Sequence, residues 1–77
     1  MPVYTPSDAD NTKINKAFVY HAPKGDQAER YQLIRDRAKD LALCMSELAP
    51  ASRELSLALT NLEQAVMWAN AAIARNE

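Results

Sequence analysis

From Tyr31 onward the apolar positions fall at helical spacing. Tyr31, Ile34, Ala38, Leu41, Met45 and Leu48 recur at intervals of 3, 4, 3, 4 and 3, the alternation that keeps one stripe of a helix turned toward a partner helix. Arg35, Arg37, Lys39 and Asp40 fall off that stripe. Asp26, followed three residues later by Glu29, has the spacing of a capping box and predicts the start of the helix. In "ELAPASRE", Pro50 cannot continue a helix and suits the first turn of the next one, so a break is predicted near Ala49. Leu55, Leu59, Leu62, Val66, Ala69 and Ile73 then repeat at 4, 3, 4, 3 and 4, with Glu54 near the positive end of the second helix dipole. A connection this short predicts an antiparallel two-helix hairpin over residues 26–77.

Residues 1–25 have a different character. Three of the four prolines and the single glycine lie in "MPVYTPSDADNTKINKAFVYHAPKG", where neither helical nor strand periodicity persists. The stretch reads as an N-terminal arm, with room for a short helix near Ser7 to Ala17. The expected fold class is therefore all-α: an arm followed by a hairpin.

The end of the second helix has too much apolar surface for a lone hairpin. From Ala65 to Ala74 only Asn70 interrupts the apolar run, and Met67, Trp68, Ala71 and Ala72 lie off the stripe that faces the first helix. Such a patch marks an association site. Either the arm folds back over it through Phe18, Val19 and Tyr20, or neighbouring copies of the chain cover it. The many alanines favour copies, because small side chains let helix backbones approach closely.

Size points the same way. A single core in 77 residues is marginal without disulfides, metal or oligomerisation. Cys44 is the only cysteine, which excludes an intrachain disulfide, and the one histidine forms no cluster with metal-ligand spacing. Association remains, and a helical homo-oligomer is expected. Ten acidic against nine basic side chains, net charge -1, give no bulk signal for DNA. The longest apolar run is far short of a membrane span, and "MPVYTPSDAD" lacks the basic-then-apolar layout of a signal peptide. A cytoplasmic protein is the expectation.

Catalytic groups are scarce. His21 stands alone in a proline-containing loop, and Cys44, among leucine, alanine and methionine, reads as a small buried hydrophobe. Ser52 and Ser56 have no partner at recognisable spacing. One glycine cannot build a glycine-rich phosphate loop. No enzyme and no cofactor are expected. The informative polar segment is "YHAPKGDQ", where Tyr20 offers a flat face, Lys24 a charge, and Gly25 with Asp26 opens a helix whose first amides suit an anion. Arg35 and Lys39 form an i, i+4 pair of like charges, explained by acidic neighbours Asp36 or Asp40 or by an anionic ligand. For each of these residues packing or a solvated face stands as the plain alternative.

Taken together, "YHAPKGDQAERYQLIRDRAKDLA" and "SRELSLALTNLEQAVMWANAAIARNE" resemble the helical hairpin domain of phage-encoded cyclic-nucleotide sponges, the anti-CBASS family whose hairpin is shared with anti-Thoeris sponges. The resemblance runs from about Phe18 to Glu77, and "AVMWANAAIAR" is its most specific part. The first seventeen residues lie outside it. It implies a homohexamer of hairpins in the host bacterial cytoplasm that sequesters cyclic dinucleotides such as cGAMP, without cleaving them, so that the CBASS effector is never switched on. The anti-Thoeris relatives carry an additional β-rich portion, so the anti-CBASS branch is the better match.

Carried over by residue, the resemblance makes Tyr20 the aromatic that stacks on a base and Arg35 the side chain that meets phosphate, with Lys24 and Lys39 as neighbouring cations in reach of that role. Arg75 would correspond to the arginine with which some members hold cyclic trinucleotides at a separate threefold site. The competing reading is a structural helical oligomerisation module with no small-molecule ligand, in which Tyr20 and Arg35 matter for stability alone.

Overall fold

The computed structural model describes residues 7–77. Residues 1–6, the beginning of the predicted arm and most of the segment weighed as a leader, lie outside the described residues. The rest forms three helices, α1 (Asp8–Phe18), α2 (Gln27–Leu48) and α3 (Arg53–Asn76), with no strand among the described residues. The arm thus contains a full helix, one residue downstream of the range read from sequence.

Each helix begins for a local reason. Ser7 caps α1 by accepting the Asp10 N–H at 3.1 Å, and Ser52 caps α3 by accepting the Leu55 N–H at 3.1 Å. The Ser52 hydroxyl donates in turn to the Pro50 carbonyl at 3.0 Å, which closes the connection between α2 and α3. Pro50 therefore sits in that connection and not in the first turn of α3 as its sequence position suggested. The predicted break is observed: Ala49 is extended and its N–H donates to the Met45 carbonyl at 2.9 Å. The capping box at α2 is absent. Asp26 has φ -92, ψ 11 and makes no side-chain cap bond; its carboxylate accepts from Arg30 Nε at 3.1 Å instead.

The main packing is α2 against α3, antiparallel as expected. Gln27 reaches Glu77 across the open end, and the half-buried positions include Tyr31, Ile34, Ala38, Ala42, Met45 and Ala49 on one side and Leu55, Leu59, Leu62, Val66, Asn70 and Ile73 on the other. Their spacing is 3, 4, 4, 3, 4 along the first and 4, 3, 4, 4, 3 along the second. That is the drift of a straight 3.6-residue helix, whereas the sequence stripe assumed the 3.5-residue repeat of a supercoil. The stripe is therefore corrected in its second half. Ala42 replaces Leu41 and Ala49 replaces Leu48 on α2, Asn70 replaces Ala69 on α3, and Leu48 is left 81% exposed. Cys44, off the inward row, is exposed and not a core residue. Asn70 brings a buried Oδ1 that has no hydrogen-bond partner among the described residues.

No hydrophobic side chain among the described residues is buried. The molecule measures 56 × 37 × 14 Å with a radius of gyration of 17.6 Å, against roughly 11 Å for a compact chain of this length. It is one helix thick. The described part of the arm does not cover the end of α3: Phe18 is 85% exposed, Trp68 is 67% exposed, and Met67 and Val19 are exposed as well.

Candidate functional site

Between α1 and α2 the chain runs through "VYHAPKGD", and both ends of this loop are fastened. At its start Val19 is extended, its N–H donating to the Asn15 carbonyl at 3.0 Å. His21 turns back to the end of α1, its Nε2 3.0 Å from the Lys16 carbonyl. A carbonyl can only accept, so Nε2 carries the proton. Between these anchors Tyr20 projects outward, 83% exposed.

The other end is tied to the far end of the hairpin. Gly25 adopts φ 58, the left-handed conformation that glycine takes without strain. The turn it makes brings Lys24 and Gln27 into reciprocal contact. The Gln27 N–H donates to the Lys24 carbonyl at 3.1 Å, and the Lys24 N–H donates to Gln27 Oε1 at 3.1 Å. Gln27 is 4% exposed, the one buried polar residue described. Its Nε2 donates to Glu77 Oε1 at 3.2 Å.

Glu77 is held a second time, by Arg30. The guanidinium grips it with both terminal nitrogens, one bond from Nη1 to Oε2 at 2.7 Å and one from Nη2 to Oε1, while Nε reaches Asp26. This is the two-pronged geometry for which arginine is suited. The Arg30 hydrogen bonds, then that of Gln27, lower the Glu77 carboxyl to about 2. The same bond to Glu77 raises the Arg30 pKa further above its ordinary value. Sequence reading missed this cluster. Asp26 and Arg30 at i, i+4 were a visible signal, but nothing local pairs Arg30 with a residue 47 positions away.

The candidate cations are disposed along the same face-to-end geometry. Lys24 is in the loop and exposed, as are Arg35 and Lys39 on α2, while Arg75 is half-buried in the last turn of α3. The helical rise places Arg35 about 12 Å along the axis from Gln27. Among the described residues no carboxylate pairs with Lys24, Arg35, Lys39 or Arg75. Asp36, one of the neighbours expected to explain the Arg35 and Lys39 pair, accepts from Gln32 Nε2 at 2.9 Å. The first amide of α2 is not open to an anion, because Gln27 N–H is taken by Lys24.

One chain does not gather these groups into a cavity. A hollow of about 560 Å³ lies at the opposite end, lined by Cys44, Met45, Leu48, Pro50 and Leu55 among others. A second, of about 210 Å³, lies mid-hairpin between Ala38, Ala42, Leu59, Leu62 and Val66, with Lys39 and Glu63 beside it. Tyr20, Lys24, Arg35 and Arg75 line neither. Among the described residues no group of His, Cys, Asp or Glu has the arrangement of a metal site, and no helix is long and apolar enough to cross a membrane.

Among curated proteins and among solved structures, none matches the chain. A family model does: that of the Acb2/Tad1 hairpin domain matches residues 10–74. The match begins upstream of Phe18, so part of α1 belongs to it, and it stops one residue before Arg75. It covers most of the chain, all of α2 and nearly all of α3. The family is one of sponges that bind cyclic nucleotides rather than cleave them. The chain therefore belongs to the Acb2/Tad1 hairpin-domain family of anti-CBASS and anti-Thoeris sponges.

Proposed function

We propose that the chain binds cyclic dinucleotides, cGAMP among them, and holds them uncleaved in the host bacterial cytoplasm, so that a CBASS effector goes unactivated. The observation that carries this reading is the family match across residues 10–74. Tyr20 stacks on a base, Arg35 meets phosphate, and Lys24 and Lys39 add positive charge. Arg75 serves a separate site for a cyclic trinucleotide. The division of labour along the chain is an arm over residues 1–25 and a hairpin over residues 26–77 that both assembles and binds.

The assembly in this reading is a homohexamer. Support comes from the lack of any buried hydrophobic side chain among the described residues, and from the exposure of Phe18, Leu48, Met67 and Trp68. The absence of Tyr20 and Arg35 from the lining of the two hollows described fits a site completed between copies.

Titration calorimetry with 3′,3′-cGAMP tests the ligand, and heat denaturation of the complex tests its fate. Saturable binding followed by release of intact cyclic dinucleotide is the expected result. A linear product formed in proportion to protein would mean an enzyme. An intact oligomer that binds no cyclic dinucleotide or trinucleotide would leave a structural oligomerisation module. A short single-stranded DNA should not compete.

A further inference from the structure

We infer that Gln27, held by Glu77, is a positioning residue that sets where the 20–24 loop presents Tyr20 and Lys24, a deepening that rests on the ligand reading above. Three observations carry it. Gln27 is the one buried polar residue described, although it stands at the first position of an amphipathic helix. Both ends of its amide side chain are used as a bridge, Oε1 to the Lys24 N–H and Nε2 to Glu77. Finally, Lys24 is fixed by both its backbone groups to this one residue.

The direction of the chain of contacts gives the cluster its role. Arg30 orients Glu77 in two-pronged fashion; Glu77 orients the Gln27 amide; Gln27 holds the Lys24 backbone. An Arg30 and Glu77 pair alone would close the hairpin end. The additional bond to the Lys24 N–H reaches outside both helices, since Lys24 belongs to neither. It restrains the loop between Tyr20 and Gly25.

The donor and acceptor pattern permits a sharp test by exchange of the two side chains. Gln27→Glu places a carboxylate against Glu77 and removes the donated bond. Combining Gln27→Glu with Glu77→Gln restores it at unchanged net charge, because residue 77 then donates and residue 27 accepts from both sides, with the loss of one of the two Arg30 bonds to residue 77. Amide hydrogen exchange of the free protein and affinity for 3′,3′-cGAMP are measured for the parent, Gln27→Ala, Gln27→Glu and the exchanged pair.

Gln27→Ala should speed exchange at the Lys24 amide roughly three- to tenfold, the scale of one lost hydrogen bond, and weaken affinity by a similar factor, while Gln27→Glu, which keeps an acceptor for that N–H but repels Glu77, should shift both readouts in the same direction by less. Amides of α2 beyond Tyr31 should stay protected and the oligomer intact. The exchanged pair should move both readouts from the Gln27→Glu values back toward the parent, short of it by the one Arg30 bond lost at residue 77. Lys24 exchange equal to the parent, or affinity lost only together with α2 protection, overturns the inference. A parent that binds no cyclic nucleotide defeats the ligand reading instead, and Lys24 exchange then decides the loop restraint by itself.

Discussion

Gly25 carries the turn into α2 at φ 58, and any residue with a Cβ meets the left-handed penalty there even though nothing lies within 4 Å of where that Cβ would stand. Gly25→Ala should cost about 1–2 kcal/mol, read from denaturant unfolding, with Gly25→Asn milder because asparagine tolerates that region. Tyr20 and Arg35 should separate in a different way. Stacking is worth about 1–3 kcal/mol per base and depends little on salt. A charge-assisted contact is worth roughly 1.5–3 kcal/mol and is screened by salt. Tyr20→Ala should therefore weaken cyclic dinucleotide binding with its salt dependence retained, and Arg35→Ala should weaken it while flattening that dependence. Titrations at two ionic strengths distinguish the two, and equal slopes for both variants would contradict the assignment.

At the scale of elements, the hairpin is fastened differently at its two ends. The turn end is local: Ser52 caps α3 and braces Pro50, so Ser52→Ala should cost about 1 kcal/mol, seen as a lower unfolding midpoint. The open end is long-range and ionic. Glu77 has its pKa lowered to about 2 from an ordinary 4.5, so the native state favours the carboxylate more than the unfolded chain does. Its contribution is complete above the ordinary carboxylate range and fades as pH falls from about 4.5 through about 2. Stability measured against pH should decline over that window in the parent, and Glu77→Gln should flatten the part of the decline due to this group. Arg30 stays charged throughout and adds no titration of its own.

The whole molecule is a thin, extended object with no buried hydrophobic side chain among its described residues, and burial of apolar area is the dominant favourable contribution to folding. Two packed helices of this kind gain little by themselves, so assembly and folding should be one process. Helicity and thermal midpoint should rise with protein concentration, as mass action requires when association stabilises only the folded chain. A midpoint independent of concentration, with a mass of 8.6 kDa by light scattering, would show a self-sufficient monomer. Trp68→Ala should weaken assembly by about 3–5 kcal/mol, the cost of truncating a large aromatic that neighbours bury, visible as dissociation at concentrations where the parent remains assembled.

Local rules were enough for the helical class, the break at Ala49 and the excess apolar surface on "AVMWANAAIA", because helix periodicity, proline sterics and hydrophobic count act over a few residues at a time. The family resemblance was legible for the same reason, being carried by two continuous stretches. Only the folded arrangement decided the rest. A repeat of 3, 4, 3, 4 in sequence does not say whether two short helices keep to it, and the burial observed follows a 3.6-residue spacing that leaves Leu41 and Leu48 exposed and Asn70 half-buried. Asp26 had two partners within reach, the backbone ahead of it and Arg30, and the arrival of Glu77 beside Arg30 favoured the ionic cluster. Arg30, Gln27 and Glu77 could not be grouped from sequence at all, since what joins them is the antiparallel return of α3, and proximity across 47 residues exists only once that return is made.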